Sequence, residues 1–169
     1  MILLVRWVRK IGHNCDMTVI DEHARIPALD EAALGRLTRA LDRDGVVAAM
    51  LIGSHARGTA GPLSDIDIAF WHEPSLHGQE LMQLRLELAR DAAHALGTDE
   101  VDIVALNHAP PLIRQRAIRD GRRLLERSSK ARVRLEARAI VEYLDTIPLR
   151  EELARGQRHR IEEGRFGRR

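Results

Sequence analysis

The sequence is poor in cysteine and aromatic residues, and it contains no long apolar run. Cys15 is the single cysteine among 169 residues, which excludes an intramolecular disulfide framework. Five Phe, Trp and Tyr residues are too few for a nucleic-acid-binding surface built on aromatic stacking. No apolar run approaches the roughly 18 residues of a membrane helix. Residues 1–8 are interrupted by Arg6 and lack a cleavage-site pattern. We therefore expect a cytoplasmic protein that does not interact with membranes.

Apolar residues make up 44% of the chain, which excludes disorder throughout and favours one globular domain. The net charge is only +2, but the charges are unevenly distributed. Residues 1–110 hold 10 Lys and Arg against 16 Asp and Glu, whereas residues 111–169 hold 17 against 9. A basic C-terminal third fits an acidic or polyanionic partner, and it fits a solvated Arg-rich helix face equally well.

The apolar periodicity predicts an α/β domain with a small mixed β-sheet and helices packed on it. Helices are expected at 29–41, 81–97, 111–119 and 133–144, and strands at 46–52, 65–70, 101–105 and, as an edge strand, 122–126. We divide the chain into an N-terminal extension (1–28), a main domain (29–126) and a C-terminal helix with a basic tail (127–169). Met17 is the expected natural start. We expect the apolar stripe of 133–144 to pack on the core and residues 150–169 to be frayed.

Three carboxylates are candidates for metal-ion chemistry. Asp65 and Asp67 are two residues apart on a predicted strand, so both point to one face and repel each other. Asp102 lies in the next predicted strand and can join them if the two strands are neighbours. Oxygen-only ligands favour Mg²⁺ or Mn²⁺, and three carboxylates at one sheet edge can hold two ions for phosphoryl chemistry. An isolated Asp-x-Asp pair is more often an ordinary strand end, so the interpretation needs further support.

That support comes from Gly53-Ser54, which directly follows a strand expected to be buried on both faces. A glycine before a helix N-terminus lets a phosphate approach free backbone N–H groups, and the Ser54 hydroxyl can donate to a phosphate oxygen. The alternative is a plain turn with Ser54 as the N-cap. A phosphate cradle beside a pair of metal ligands is what a metal–triphosphate complex requires.

The stretch GSHARG at 53–58, followed by SDIDI at 64–68 and VDIV at 101–104, resembles the minimal nucleotidyltransferases (MNT) of the polymerase-β-like superfamily. The similarity covers about residues 29–106. The stretch IRDGRRLLE at 118–126 and the helix ending in Tyr143-Leu144-Asp145 resemble the MntA-type antitoxins, which pair with a HEPN-domain RNase toxin.

The resemblance implies a polymerase-β-like nucleotidyltransferase fold with a C-terminal helical extension. It implies that the protein transfers AMP from ATP to a tyrosine of a cognate HEPN toxin. It also implies that the protein and the toxin form a hetero-oligomer. Asp65, Asp67 and Asp102 would be the catalytic, metal-binding residues for two Mg²⁺ ions, and Asp102 would also help to deprotonate the attacking hydroxyl. Gly53, Ser54 and Arg57 would bind ATP. Ser64 is assigned a structural role in the turn before Asp65, and His55 is expected at the helix surface.

Three alternatives remain open. The protein could neutralise a toxin by docking alone, or it could modify a small molecule such as an aminoglycoside, although the 60 or so residues after Leu106 leave little room for a substrate domain. It could also extend RNA termini, but the scarcity of aromatic residues and the lack of an RNA-binding module argue against direct nucleic-acid binding.

Overall fold

Four strands form one mixed sheet in the order β3-β2-β1-β4, within residues 29–62 and 64–165, which the computed structural model describes. The strands are β1 (Val46–Leu51), β2 (Ile66–His72), β3 (Val101–Ala105) and β4 (Arg122–Glu126). β1 is antiparallel to β2 and β4, whereas β2 and β3 are parallel. The fold class and the four predicted strands are confirmed. The expected extension at 1–28, including Met17, lies outside the described residues.

Two helices cover one face of the sheet. α1 (Glu31–Leu41) begins after Asp30, whose carboxylate accepts a hydrogen bond from the Ala33 amide at 2.7 Å. α3 (Gly78–Leu96) ends at Gly97, which adopts the left-handed conformation that favours glycine at a helix end. These helices bury their apolar faces on Ile66, Ile68 and Phe70 of β2. The alternation of β2 therefore leaves Asp67 on the opposite face.

The opposite face is covered by α4 (Pro111–Asp120) and α5 (Ser129–Asp145). α5 packs through Ala131, Leu135 and Ala139, which are spaced four residues apart, and Ala139 is fully buried. The expectation that the 133–144 stripe packs on the core is wrong. Its large side chains are 41–57% exposed, at Val133, Ile140, Val141 and Leu144. The alanines let α5 approach the sheet closely, so the bulkier stripe is turned outward.

The predicted frayed tail is instead a helix, α6 (Ile147–Glu162). Pro148 lies in the first turn of α6, where its missing N–H costs nothing. Arg150 ties α6 to α5: its Nε donates to the Thr146 hydroxyl at 3.0 Å, and its guanidinium lies 4.2 Å from the centre of the Tyr143 ring. Farther along, Arg155 pairs with Glu152 at 2.6 Å. These local contacts stabilise a helix that buries none of its residues.

A short helix, α2 (Gly53–Arg57), follows β1, and a 3₁₀ turn (Leu106–His108) follows β3. Among the described residues, no helix combines the length and apolar character needed to cross a bilayer.

Candidate active site

Three predicted site carboxylates lie at the edge of the sheet where β1 ends and β2 and β3 begin. Asp67 and Asp102 are register partners on the parallel strands β2 and β3. Their side chains therefore leave the same face of the sheet, on the α4–α5 side. Asp65 directly precedes β2, two residues before Asp67, and is exposed. The strand that carries Asp102 therefore lies beside the strand that carries Asp67, as the sequence analysis assumed.

The three carboxylates interact electrostatically. Burial raises the pKa of Asp67 above its ordinary value of 3.8, and the negative charges of Asp102 and then Asp65 raise it further. His55 and Arg57 act in the opposite direction. The carboxylate of Asp67 is therefore the point where acidic groups from two strands meet basic groups from α2.

A divalent cation fits this donor set. All three candidate ligands are carboxylates, the oxygen ligands that Mg²⁺ prefers. Within the described part of the chain, no three His, Cys, Asp or Glu side chains, these three carboxylates included, lie close enough together to hold a metal ion by themselves. Mg²⁺ does not require three protein ligands, because in phosphoryl-transfer sites it is held by one or two carboxylates, substrate phosphates and waters.

Gly53 provides close access to Asp67. It has a φ of 69°, a conformation that residues with side chains rarely adopt. A Cβ added at Gly53 would overlap Oδ2 of Asp67 and lie 3.0 Å from its Cγ. The backbone is held in register by the Ile52 amide, which donates to the Asp67 carbonyl at 2.9 Å. The turn after β1 is therefore pressed against the candidate metal ligand.

Ser54 lies half-buried in the first turn of α2. The N-cap of this helix is Ile52, so the alternative assignment of Ser54 as the N-cap is wrong. The Ser54 carbonyl accepts a hydrogen bond from the Thr59 amide at 3.0 Å, which starts the return of the chain towards β2.

His55 and Ser64 organise the loop that leads to Asp65. The His55 Nε2 atom donates to the Ser64 carbonyl at 3.0 Å. The Ser64 hydroxyl accepts from the Gly61 amide at 2.9 Å, which confirms its predicted structural role. His55, expected at the helix surface, is half-buried, and its hydrogen bond joins α2 to this loop.

Arg57 is exposed and lies between two acidic groups. Its charge lowers the pKa of Asp67 and also that of Asp120, the last residue of α4. The larger effect on Asp120 is the hydrogen bonding from Arg119, through two contacts of 2.7 Å. Arg57 forms no ion pair with any described residue, which leaves its guanidinium available to an anionic ligand. No local pattern in the sequence indicates that the end of α4 approaches this edge.

The fold and this edge agree with the comparisons to known proteins. The family model for polymerase β nucleotidyltransferases matches residues 36–130, more than half of the chain. The chain belongs to this family. Comparison of the sequence with curated proteins gives no significant match.

Several solved structures share the fold of this nucleotidyltransferase. A toxin–antitoxin structure with AMP-PNP is 27% identical, with a TM-score of 0.59, over 76% of this chain and 98% of the other. An MntA–HepT toxin–antitoxin structure is 22% identical, with a TM-score of 0.57, over 75% and 97%. The MNT antitoxin complex with the tri-AMPylated HEPN toxin of Shewanella oneidensis is 24% identical, with a TM-score of 0.53, over 73% and 91%. The predicted resemblance to the MNT family is confirmed.

Proposed function

We propose that this nucleotidyltransferase is an antitoxin that transfers AMP from ATP to a tyrosine of a HEPN-domain RNase toxin and thereby silences it. The observation that carries the proposal is the pairing of Asp67 with Asp102 beside the Gly53 turn. The similarity to a toxin–antitoxin structure containing AMP-PNP supports the nucleotide and the partner class. The AMPylated toxin of the Shewanella complex suggests the product.

In this proposal Asp65, Asp67 and Asp102 hold two Mg²⁺ ions, which when bound neutralise charge on the phosphates. Gly53 and Ser54 receive the β- and γ-phosphates, because they open α2 and the N–H groups of a first helical turn have no partner within the helix. Arg57 stabilises negative charge on the triphosphate. These roles account for the acidic and basic groups at the edge.

The transfer is an in-line substitution at the α-phosphorus of ATP. The tyrosine oxygen forms a bond to that phosphorus as the bond between it and the bridging oxygen of the β-phosphate breaks. Pyrophosphate leaves with the electron pair. The hydroxyl proton passes to the carboxylate of Asp102 and then to water. This chain supplies mainly position and electrostatic stabilisation.

The test is to incubate the protein with a HEPN toxin and ATP labelled at the α-phosphate, and to map the label by mass spectrometry. We expect AMP on a toxin tyrosine, and no transfer by the Asp65→Asn/Asp67→Asn variant, which should remain folded. The matched control is Glu73→Gln/Glu80→Gln, which removes two exposed acids that follow the opposite end of β2. Labelling by the Asp65→Asn/Asp67→Asn variant would contradict the assignment.

Neutralisation by docking alone is a second candidate, favoured by the exposed stripe of α5 at Val133, Ile140, Val141 and Leu144. Toxin RNase activity measured with and without ATP separates the two. Catalytic silencing requires ATP and persists after the antitoxin is removed. Docking requires neither ATP nor the carboxylates, and it is reversed when the complex is separated.

A further inference from the structure

The exposed stripe of α5 has the spacing of a helix–helix contact. Together with the exposed Ala137, three of its members recur at intervals of four, three and four residues: Val133, Ala137, Ile140 and Leu144. Residues at these intervals form the apolar seam that one helix presents to a second helix lying along it. Because the sheet packs against the other side of α5, the stripe is open to a helix of another molecule.

The free charges beside the stripe are mainly basic. Lys130 and Arg134 are exposed and form no ion pair with any described residue, and the unpaired acid of α5 in that part of the chain is Asp145. The other charged side chains of α5 are ion-paired within the domain. This surface therefore complements an apolar helix face that is flanked by acidic side chains.

The helix that follows, α6, lacks tertiary burial. It has no buried residue and packs mainly against the end of α5. Leu149 and Leu153, which are one turn apart, are 63% and 60% exposed. Gly156 in the helix interior costs about 1 kcal/mol relative to alanine, and isolated helices of this length are marginal in water. A second molecule that covers the two leucines would supply the burial that α6 lacks.

α4 connects this surface to the nucleotide edge. It packs against α2, and its last residue, Asp120, approaches Arg57. It also packs against α5, where Arg114 donates to the Glu142 carboxylate at 2.5 Å. α4 is about 15 Å long, whereas a standard protein interface covers about 800 Å² on each partner, a patch roughly 30 Å across. A protein that places a tyrosine at the edge can therefore cover α5 as well.

We propose that the exposed stripe of α5, with Leu149 and Leu153 of α6, is the surface on which the AMP-accepting toxin docks. The inference rests on the proposed function, because it concerns the acceptor of that transfer. The 27% identity to a toxin–antitoxin structure with AMP-PNP supports a toxin as the occupant. The surface supplies affinity for the protein substrate, while the carboxylates and the Gly53 turn serve the nucleotide, so the two can be separated by mutation.

The test measures the transfer kinetics with a HEPN toxin that the unmodified chain labels with AMP. Val141→Asp/Leu144→Asp should raise the KM for the toxin by roughly tenfold to 100-fold, since it places two charges in an apolar contact. The kcat at saturating toxin and the KM for ATP should stay within about twofold of the unmodified values. Leu149→Asp/Leu153→Asp should raise the KM for the toxin by roughly fivefold to tenfold. Because α6 buries nothing, this second variant tests the surface even if the aspartates on α5 disturb that helix.

Matched controls come from α3, on the opposite face of the sheet. Met82→Asp/Leu86→Asp replaces two apolar residues that are 55% and 64% exposed, and it should leave the KM for the toxin unchanged. Arg134→Glu should raise this KM by roughly threefold to fivefold at low salt and less at high salt. Arg85→Glu, which changes an exposed arginine of α3, should not raise it.

Three outcomes would overturn this inference while leaving the proposed function intact. The toxin KM could be unchanged in both the α5 and the α6 variants, or it could rise equally in the α3 control. Sedimentation of the chain without toxin could also show self-association that the α5 substitutions abolish, which would make a second copy the occupant. A chain that labels no HEPN toxin would instead overturn the proposed function, and this inference with it.

Discussion

Gly53 and Asp67 lie in such close contact that no side chain fits between them. We predict that Gly53→Ala abolishes most of the transferase activity, because its Cβ would displace the Asp67 carboxylate. A misplacement of about 1 Å can reduce the rate roughly 100-fold. Steady-state transfer of labelled AMP measures this effect.

Gly58→Ala is the matched control for this substitution. Gly58 has nearly the same φ, 70° against 69°, but nothing lies within 4 Å of its added Cβ. Both variants should lose about 1–2 kcal/mol of stability through the left-handed backbone, but only Gly53→Ala should lose activity. Equal losses of activity would refute the importance of the close contact.

Asp67→Asn should increase stability near neutral pH in metal-free buffer while abolishing transfer. The folded-state pKa of Asp67 is raised by burial and by Asp102 and Asp65, so folding favours the protonated form. The stability that this group contributes is complete below its ordinary pKa of 3.8 and is lost as the pH rises through the raised value.

The gain in Tm of Asp67→Asn over the unmodified protein should therefore be present at pH 7 and shrink as the pH falls towards 4. Thermal denaturation across this range provides the measurement. Glu73→Gln, which removes an exposed acid at the opposite end of β2, serves as the control and should show no such trend. A gain that is independent of pH would rule out the electrostatic explanation.

His55→Ala should reduce the rate of transfer roughly tenfold and raise the Mg²⁺ concentration needed for half-maximal activity. It removes the hydrogen bond to the Ser64 carbonyl that positions the loop before Asp65. His55→Gln retains an N–H donor and should restore part of both quantities. If alanine and glutamine are equally harmful, this hydrogen bond is not what positions the loop.

Arg150→Ala should loosen α6. The substitution removes the contact with the Tyr143 ring and the hydrogen bond to Thr146, together worth about 1 kcal/mol. Hydrogen exchange of the α6 amides should accelerate, with little change in the sheet. Arg155→Ala, which loses only an exposed ion pair with Glu152, should have a much smaller effect.

The sequence was sufficient to predict the sheet because each strand has a simple pattern. β1 is apolar throughout, and all six of its residues are buried. In β2, Ile66 and Ile68 flank Asp67, so the apolar and acidic side chains alternate between the two faces. The prediction that Asp102 joins Asp67 rested on the assumption that β2 and β3 are neighbours, which the structure shows.

The C-terminal helices were harder to predict because their stability depends on contacts that periodicity does not reveal. α5 has apolar residues on two sides, and the small face at Ala131, Leu135 and Ala139 packs on the sheet instead of the larger stripe. α6 depends on Arg150 reaching back to Tyr143. The approach of Asp120 to Arg57 joins distant parts of the chain and has no local sequence signal.

The parallel register of β2 and β3 has a consequence for how this fold can vary. Side chains alternate across a strand, so sliding β3 by a single residue along β2 would move the Asp102 carboxylate to the α1–α3 side of the sheet. The connection from β2 to β3 through α3 therefore determines on which face of the sheet the Asp102 carboxylate lies. Insertions in that connection are tolerated only when they loop out without shifting β3, which constrains domain grafting at this position.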